Sequence, residues 1–381
     1  MHRPAALLLP LALACSAFAC RLGAPREVRI GLLATFTGPF GEVSGVPTRQ
    51  GAQMAVQEAG GTVQVGRHRY RITLVERTFD DRADAAATAA RELINQENVV
   101  ALIGPQFSRH AIPVSVVAED ARVPMISPMS SNPATTAGRS YVFRLAFLDD
   151  IQGAAMAQFA EENLHARTAG VLYDVASAYS RDLAARFRDA FVAHGGRIAA
   201  FESYTTDRMH DIDAQARRIA AAHADVLFLP NFPDALALQV PRLQAAGFRG
   251  TLVGSDSWDP ITLPALAGLH AYVTNQWRPD LPAEGARRFN TEFRRRYGTE
   301  PRATAALTYD AVRILLDALR RAGTVDPDSV RAALAATTGY VGASGTITFG
   351  GRPDPARSVA VSEVMDHSLR TARLVDPAAH P

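Results

Sequence analysis

The chain alternates short apolar runs with longer segments in which apolar residues recur every three or four positions, the pattern of strands buried between helices. Residues 28–33 (VRIGLL) read as a first strand, followed by a Gly/Pro loop at 35–44 and a helix over 46–58 that Gly60 and Gly61 stop. A strand at 70–76, the pair Asp80 and Asp81, and an alanine-rich helix over 83–96 come next. The stretch 99–131, VVALIGPQFSRHAIPVSVVAEDARVPMISPMSS, then gives a buried strand at 99–103 and a turn at Gly104 and Pro105. A helix entered at Ser108 and a second strand at 123–127 complete it. This βαβαβαβ order predicts a parallel sheet with helices on both faces.

A strand at 141–147 ends the first run, and after Asp149 and Asp150 the alternation begins again. Helices are expected at 151–164, 180–194, 211–223 and 234–246, with strands at 169–173, 197–203, 225–229 and 251–254. That second run is too long to join the first sheet, so it predicts a second lobe with the hinge near Asp149. A strand at 271–277 precedes helices at 283–297, 303–322 and 327–337, which lack intervening strands and should return to cover the first lobe. Strands at 345–349 and 359–365 read as a hairpin closing the second lobe. The expectation is therefore a two-lobed α/β fold, with residues 27–149 and 278–342 in one lobe and 150–277 and 343–375 in the other. The chain would cross between lobes near 149, 278 and 343, and residues 376–381 would form a tail.

Composition changes this picture by exclusion. The formal net charge of +2 gives no basic face for a nucleic-acid partner. All 40 basic residues are arginine, so Schiff-base catalysis, a pyridoxal phosphate anchor and a phosphate-gripping P-loop lysine are all ruled out. The opening MHRPAALLLPLALACSAFAC has a charged start at Arg3, an apolar run and small residues at Ala17 and Ala19, which reads as an export signal over residues 1–19. Cleavage there would place Cys20 first, open to lipidation, although Ala17 and Phe18 make an imperfect lipobox; plain signal cleavage to a soluble periplasmic product is the alternative. Cys15 and Cys20 are the two cysteines, which leaves the exported body with no disulfide and no thiolate metal site.

Candidate chemistry gathers at strand ends, where open α/β sheets bind ligands. Ser108 at a helix start, with Ser130 and Ser131 after the next strand, would form a polar cup for a carboxylate, aided by the helix dipole. Serines also serve as ordinary helix caps and turn residues. Asp256, after the strand at 251–254, could meet an ammonium group or cap the turn that follows. Phe40, Tyr179, Phe232 and Trp258 lie in loops at these same edges, either as a lid or as core. Asp80–Asp81 and Asp149–Asp150 have no histidine or second carboxylate pair in catalytic spacing, and the ten histidines form no metal motif. No G-x-S-x-G, Walker or G-x-G-x-x-G pattern stands in a suitable context, so neither an enzyme nor a cofactor is expected.

With these residues in place, the chain resembles the substrate-binding proteins of branched-chain amino acid ABC transporters, which have the periplasmic binding protein type I fold. The likeness runs from VRIGLLATFTGPFGEVSG through the GG-x-V turn, Asp80–Asp81, VVALIGPQFS and AEDARVPMISPMSS. It continues through DVASAYSRD and LPNFPDALALQVPRLQAAGF to the GSD ending at Asp256. The resemblance implies two lobes closing on an amino acid, its carboxylate held by Ser108 and Ser131 and its ammonium by Asp256 and the backbone of Met129. Tyr179 and Phe232 would be the lid aromatics. Phe232 stands where a tyrosine is common, Ala83 and Phe107 replace a frequent disulfide, and Arg109 adds a positive charge beside the cup, where it is expected to contact ligand. The implied partners are a small carboxylate-bearing molecule and an inner-membrane permease, with the protein itself a monomer. An aromatic or aliphatic acid as ligand, or a role as a periplasmic sensor, are the alternatives.

Overall fold

A computed structural model describes residues 26–38, 40–258, 266, 268–280, 284–365 and 368–375. The signal segment, Cys20 and the tail at 376–381 lie outside the described residues. The first half contains β1 (Glu27–Ala34), α1 (Val46–Glu58), β2 (Thr62–Val65), β3 (His68–Thr78) and α2 (Ala83–Asn95). It continues with β4 (Ala101–Ile103), α3 (Ser108–Asp120), β5 (Met125–Ser127) and β6 (Val142–Arg144). These strands form one sheet in the order β2-β3-β1-β4-β5-β6, parallel except for β2 against β3.

Strand alternation decides what covers each face. Val28, Ile30 and Leu32 of β1 and Ala101 and Ile103 of β4 pack on α1 and on the later α-helices, while Leu33 and Leu102 point to the opposite core under α2 and α3. At Gly104, φ is +95° and a Cβ would sit 2.2 Å from the carbonyl oxygen of Leu33, so the turn between β4 and α3 requires glycine.

The second sheet is built from α4 (Asp149–Glu162), β7 (Thr168–Asp174), α5 (Ala178–Ala193), β8 (Arg197–Tyr204), α6 (Asp213–Ala221) and β9 (Val226–Leu229). It is completed by α7 (Pro233–Ala245), β10 (Thr251–Gly254) and β11 (Ala271–Asn275). Its two faces carry separate cores, one under α4 and α5 around Phe159, Phe187 and Phe228, the other under α6 and α7 around Leu227, Leu236 and Leu243. The chain then returns to the first lobe. There α8 (Glu284–Tyr297), α9 (Ala303–Ala322) and α10 (Pro327–Ala335) join the core that holds β1. Gly51 on α1 lets α9 approach until a Cβ would meet the carbonyl oxygen of Ala305 at 2.2 Å.

The C-terminal strands differ from the sequence expectation. β12 (Tyr340–Gly342) and β13 (Gly345–Ile347) form a small antiparallel ribbon, and Ala343, Ile347 and Phe349 belong to the first lobe's core. The buried Asp310 carboxylate on α9 causes this, because it accepts hydrogen bonds from the amides of Ala343 and Ser344, both at 2.7 Å, and from the Ser344 hydroxyl at 2.6 Å. Instead of pairing with residues 345–349, β14 (Val359–Met365) lies between β11 and β15 (Ser368–Val375) in the second sheet, order β15-β14-β11-β10-β9-β7-β8. Pro353 and Asp354 still bond β6 and Thr136, so the third crossing falls after residue 354 rather than near 343. Arg357 follows, and its guanidinium donates to the carbonyls of Leu145 (2.7 Å), Gln276 (3.2 Å) and Ser344 (2.6 Å). One side chain thus ties together segments at or beside all three crossings.

Candidate functional site

In each sheet the chain order reverses beside one strand, β1 in the first and β7 in the second, and loops leaving such a point diverge to open a crevice. The two crevices face each other across a cleft of about 440 Å³. Phe40, Ser108, Met129 and Ser131 line it from the first lobe, and Tyr179, Phe232, Asp256 and Trp258 from the second. The lobes meet at its edges. Asn132 Nδ2 donates to Asp182 Oδ2 on α5 at 2.8 Å, and the Phe232 ring packs edge-on against Phe107 at 5.4 Å and near Phe40 at 6.3 Å.

The first wall is a relay of hydroxyls. Ser130 Oγ donates to Ser108 Oγ at 3.0 Å, so the Thr135 hydroxyl, 2.7 Å away, is the donor to Ser130. Ser108 Oγ also accepts from the amide of Asn132 at 3.4 Å. With its lone pairs engaged from behind, Ser108 has its own proton to give into the cleft, and aligned hydroxyls strengthen one another. The loop is braced by Arg144, fully buried, whose Nη1 donates to the carbonyls of Ser130 (3.0 Å) and Asn132 (2.9 Å) and whose Nε pairs with Asp354 at 2.5 Å.

The second wall carries charge. Asp256 Oδ1 accepts from the Tyr179 hydroxyl at 2.6 Å and Oδ2 from Gln276 Nε2 at 2.9 Å, while its amide donates to Gln152 Oε1 at 2.8 Å. Burial raises its pKa, against the lowering effect of the Tyr179, Gln276 and Gln152 hydrogen bonds. Burial and the neighbouring Asp256 charge push the Tyr179 phenol well above its ordinary value. Asp149 lies behind both walls at the first crossing, fully buried, with Oδ1 accepting from Gln152 Nε2 at 3.3 Å and Oδ2 without a hydrogen-bond partner among the described residues. Burial holds its pKa well above the carboxylate range, opposed by the nearby Ser131 hydroxyl. Gln152 therefore links the Asp149 carboxylate to the backbone of Asp256, and a cation in the cleft would stabilise both carboxylates.

Two residues expected at the ligand lie elsewhere. Ser130 is buried behind Ser108 and is not among the residues lining the cleft, because its hydroxyl is consumed by the relay. Arg109 is also outside the lining: Asp81 draws it away with an ion pair at 2.5 Å, and its guanidinium lies over the rings of Phe40, Phe107 and Phe232 at 5.1–5.6 Å. Asp81 also accepts from His110, so Asp81 braces the first turn of α3, while Asp80 accepts from the Arg82 amide in its own loop. Trp258 has one edge in the cleft, but its Nε1 donates to the Leu229 carbonyl at 2.9 Å and its ring is core. Gln152, Gln276, Thr135, Arg144 and Gln106 were not anticipated. Among the described residues no group of three or more histidine, cysteine or acidic side chains could hold a metal ion.

The model of the periplasmic binding protein family matches residues 27–365. The chain belongs to that family. It is 25% identical over 339 residues to a leucine-, isoleucine-, valine-, threonine- and alanine-binding protein of Pseudomonas aeruginosa, covering 86% of this chain and 87% of the relative. It is 26% identical over 346 residues to Leu/Ile/Val-binding protein homolog 3 of Brucella melitensis, covering 87% and 91%. The crystal structure of leucine-binding protein LivK from Thermotoga maritima superposes with a TM-score of 0.85 at 32% identity, over 93% of this chain and all of that one. These relatives place the chain among the branched-chain amino acid ABC substrate-binding proteins, with the type I fold. A solute-binding protein from R. palustris in complex with benzoate shares the fold at 20% identity, with a TM-score of 0.81.

Proposed function

We propose that this periplasmic binding protein captures an α-amino acid between its lobes and delivers it, as a monomer, to an inner-membrane ABC permease without chemically altering it. One observation carries the reading: a hydroxyl relay ending in a donor at Ser108 faces a half-buried carboxylate at Asp256 across one cleft. A zwitterion satisfies both walls, its carboxylate taking the Ser108 and Ser131 donors and its ammonium meeting Asp256 and the backbone of Met129. Closure follows from contacts that exist only when the lobes are shut, such as Phe107 against Phe232. Export rests on the N-terminal segment, with Cys20 as the lipid anchor; mass spectrometry of the mature protein tests that assignment.

Isothermal titration calorimetry against the standard amino acids tests the ligand class, with Ser108→Ala and Asp256→Asn as controls. Micromolar or tighter binding that both substitutions weaken is expected, and unchanged binding in both variants would refute the site. A second reading, a carboxylic acid without an amino group, is supported by the benzoate complex of the R. palustris protein that shares this fold. Under it, Asp256→Asn would leave affinity intact.

A further inference from the structure

The relay and Asp256 account for what the cleft attracts and leave open what keeps it shut. Asn132 follows directly on Ser131, which lines the cleft, and is itself only 1% exposed. Its backbone is fixed within the first wall: the amide donates to Ser108 Oγ at 3.4 Å and the carbonyl accepts from Arg144 Nη1 at 2.9 Å. Its side chain is fixed as well. Oδ1 accepts from the Ala134 amide at 2.9 Å, capping the short helical turn Pro133–Thr135, so Nδ2 is turned toward the second lobe. There it donates to the Ala178 carbonyl at 3.3 Å and to Asp182 Oδ2 at 2.8 Å, two residues one turn apart on α5. Tyr179, between them in sequence, carries the hydroxyl that bonds Asp256.

One residue therefore joins the Ser108 wall to the helix that supports the Asp256 wall. The two halves of the contact belong to opposite lobes, so it is made as they shut and exchanged for water as they part. An amide already held by its own turn loses little freedom on docking, and its acceptor is a carboxylate, which makes a stronger hydrogen bond than a neutral group does. Asp182 Oδ1 is occupied by Arg181 Nε at 2.8 Å, which leaves Oδ2 for Asn132. Neither Asn132 nor Asp182 is among the residues lining the cleft. We propose that Asn132 is a positioning residue that latches the closed lobes through Asp182, setting how long a ligand is held and not which ligand is chosen. The latch rests on capture between the lobes and not on the ligand's ammonium.

Stopped-flow kinetics with the standard amino acid that binds tightest in the titration above test it. Asp182→Ala removes the acceptor at a half-buried position outside the cleft. Asn132→Ser keeps a cap for the Ala134 amide but is too short to reach α5. Each should speed dissociation about tenfold, the value of one hydrogen bond to an ionised group, while association changes less than about twofold. The double variant should be no faster than the single ones, since all three lose the same contact. Asp182→Asn keeps an acceptor and should cost about threefold or less. Arg181→Ala breaks only the surface ion pair and should leave the rate unchanged. Unchanged dissociation in Asp182→Ala, effects that add in the double variant, an altered order of ligand preference, or losses confined to the melting temperature of the ligand-free protein overturn the latch and leave capture between the lobes standing. If no standard amino acid binds, the amino acid reading falls and the same rates measured with benzoate decide the latch; binding of neither overturns both.

Discussion

The two walls of the cleft meet opposite charges with different devices. On the first, the groups offered to the ligand are neutral: Ser108 is oriented by Ser130 and Thr135, and the loop that follows is pinned by Arg144. On the second, the half-buried Asp256 carboxylate is served by neutral donors from Tyr179 and Gln276, with the fully buried Asp149 behind it. Oriented hydroxyls cost little while they wait for an anion, because they are already bonded to one another. A buried carboxylate is costly until a cation arrives. The first wall therefore sets that a carboxylate binds, and the second sets whether an ammonium must accompany it.

Removing the charge of Asp256 strikes hardest at that division. Asp256→Asn keeps an acceptor for Tyr179, sets an amide donor against Gln276 Nε2, and leaves the ligand's ammonium buried without a counter-charge, a loss of about 3–5 kcal/mol. Amino acid affinity measured by calorimetry should fall at least a hundredfold, while an acid lacking the amine should be unaffected. Ser108→Ala comes next, removing a hydrogen bond to an ionised group worth about 1.5–3 kcal/mol, or roughly ten- to a hundredfold in affinity. Ser130→Ala sharpens the contrast. Its hydroxyl lies outside the lining, so it should lower the melting temperature more than it weakens binding. Equal affinity losses at Ser108 and Ser130 would mean that Ser130 itself reaches the ligand.

The backbone of this arrangement was legible because each lobe repeats one rule, apolar strand then amphipathic helix. The helix over 46–58, the helix over 303–322 and the helix beginning at Ser108 are found where their patterns and stop signals put them. The C-terminal ribbon was not legible. Residues 345–349 alternate as a strand would, but what they pair with depends on Asp310, some thirty residues earlier, and periodicity reports burial without naming a partner. The same limit hid half of the site. Ser108, Tyr179 and Asp256 announce themselves as polar or aromatic residues at strand ends, whereas Gln106, Gln152 and Arg144 acquire a role only through contacts between distant segments. Arg109 misled because the charge was visible in sequence and its competitor Asp81 was visible too, but not their distance.

Titration probes the charged wall more gently. Burial raises the pKa of Asp256 and of Asp149, so in the ligand-free state both bind protons more tightly than in the unfolded chain, where an aspartate titrates near 3.9. Their contribution to stability is full below that value and is lost as the pH rises through the folded pKa values. Amino acid binding has the opposite sign, since it needs ionised Asp256. Thermal melts of wild type and Asp256→Asn without ligand should therefore diverge as the pH rises from about 4 toward 7, the variant becoming relatively more stable. The stabilisation that an amino acid gives the wild type should shrink over the same range on acidification. A ligand-induced shift independent of pH would mean that the second wall is not acting through its charge.

Arg109 tests the seam where the two walls meet. Its guanidinium lies 5.1 Å from the Phe40 ring and 5.4 Å from that of Phe107 in the first lobe, and 5.6 Å from that of Phe232 in the second. Only the contact with Phe232 crosses between lobes, and it is formed only while they are shut. An exposed cation–π contact is worth about 0.5–1 kcal/mol, so Arg109→Ala should speed ligand dissociation about two- to fivefold in stopped-flow measurements and leave the order of ligand preference unchanged. The ion pair with Asp81 is confined to the first lobe and should register in the melting temperature instead. If Arg109→Ala changed the discrimination between acids with and without an amine, the arginine would be a charged partner of the ligand, and the neutrality of the first wall would be the part of the comparison that fails.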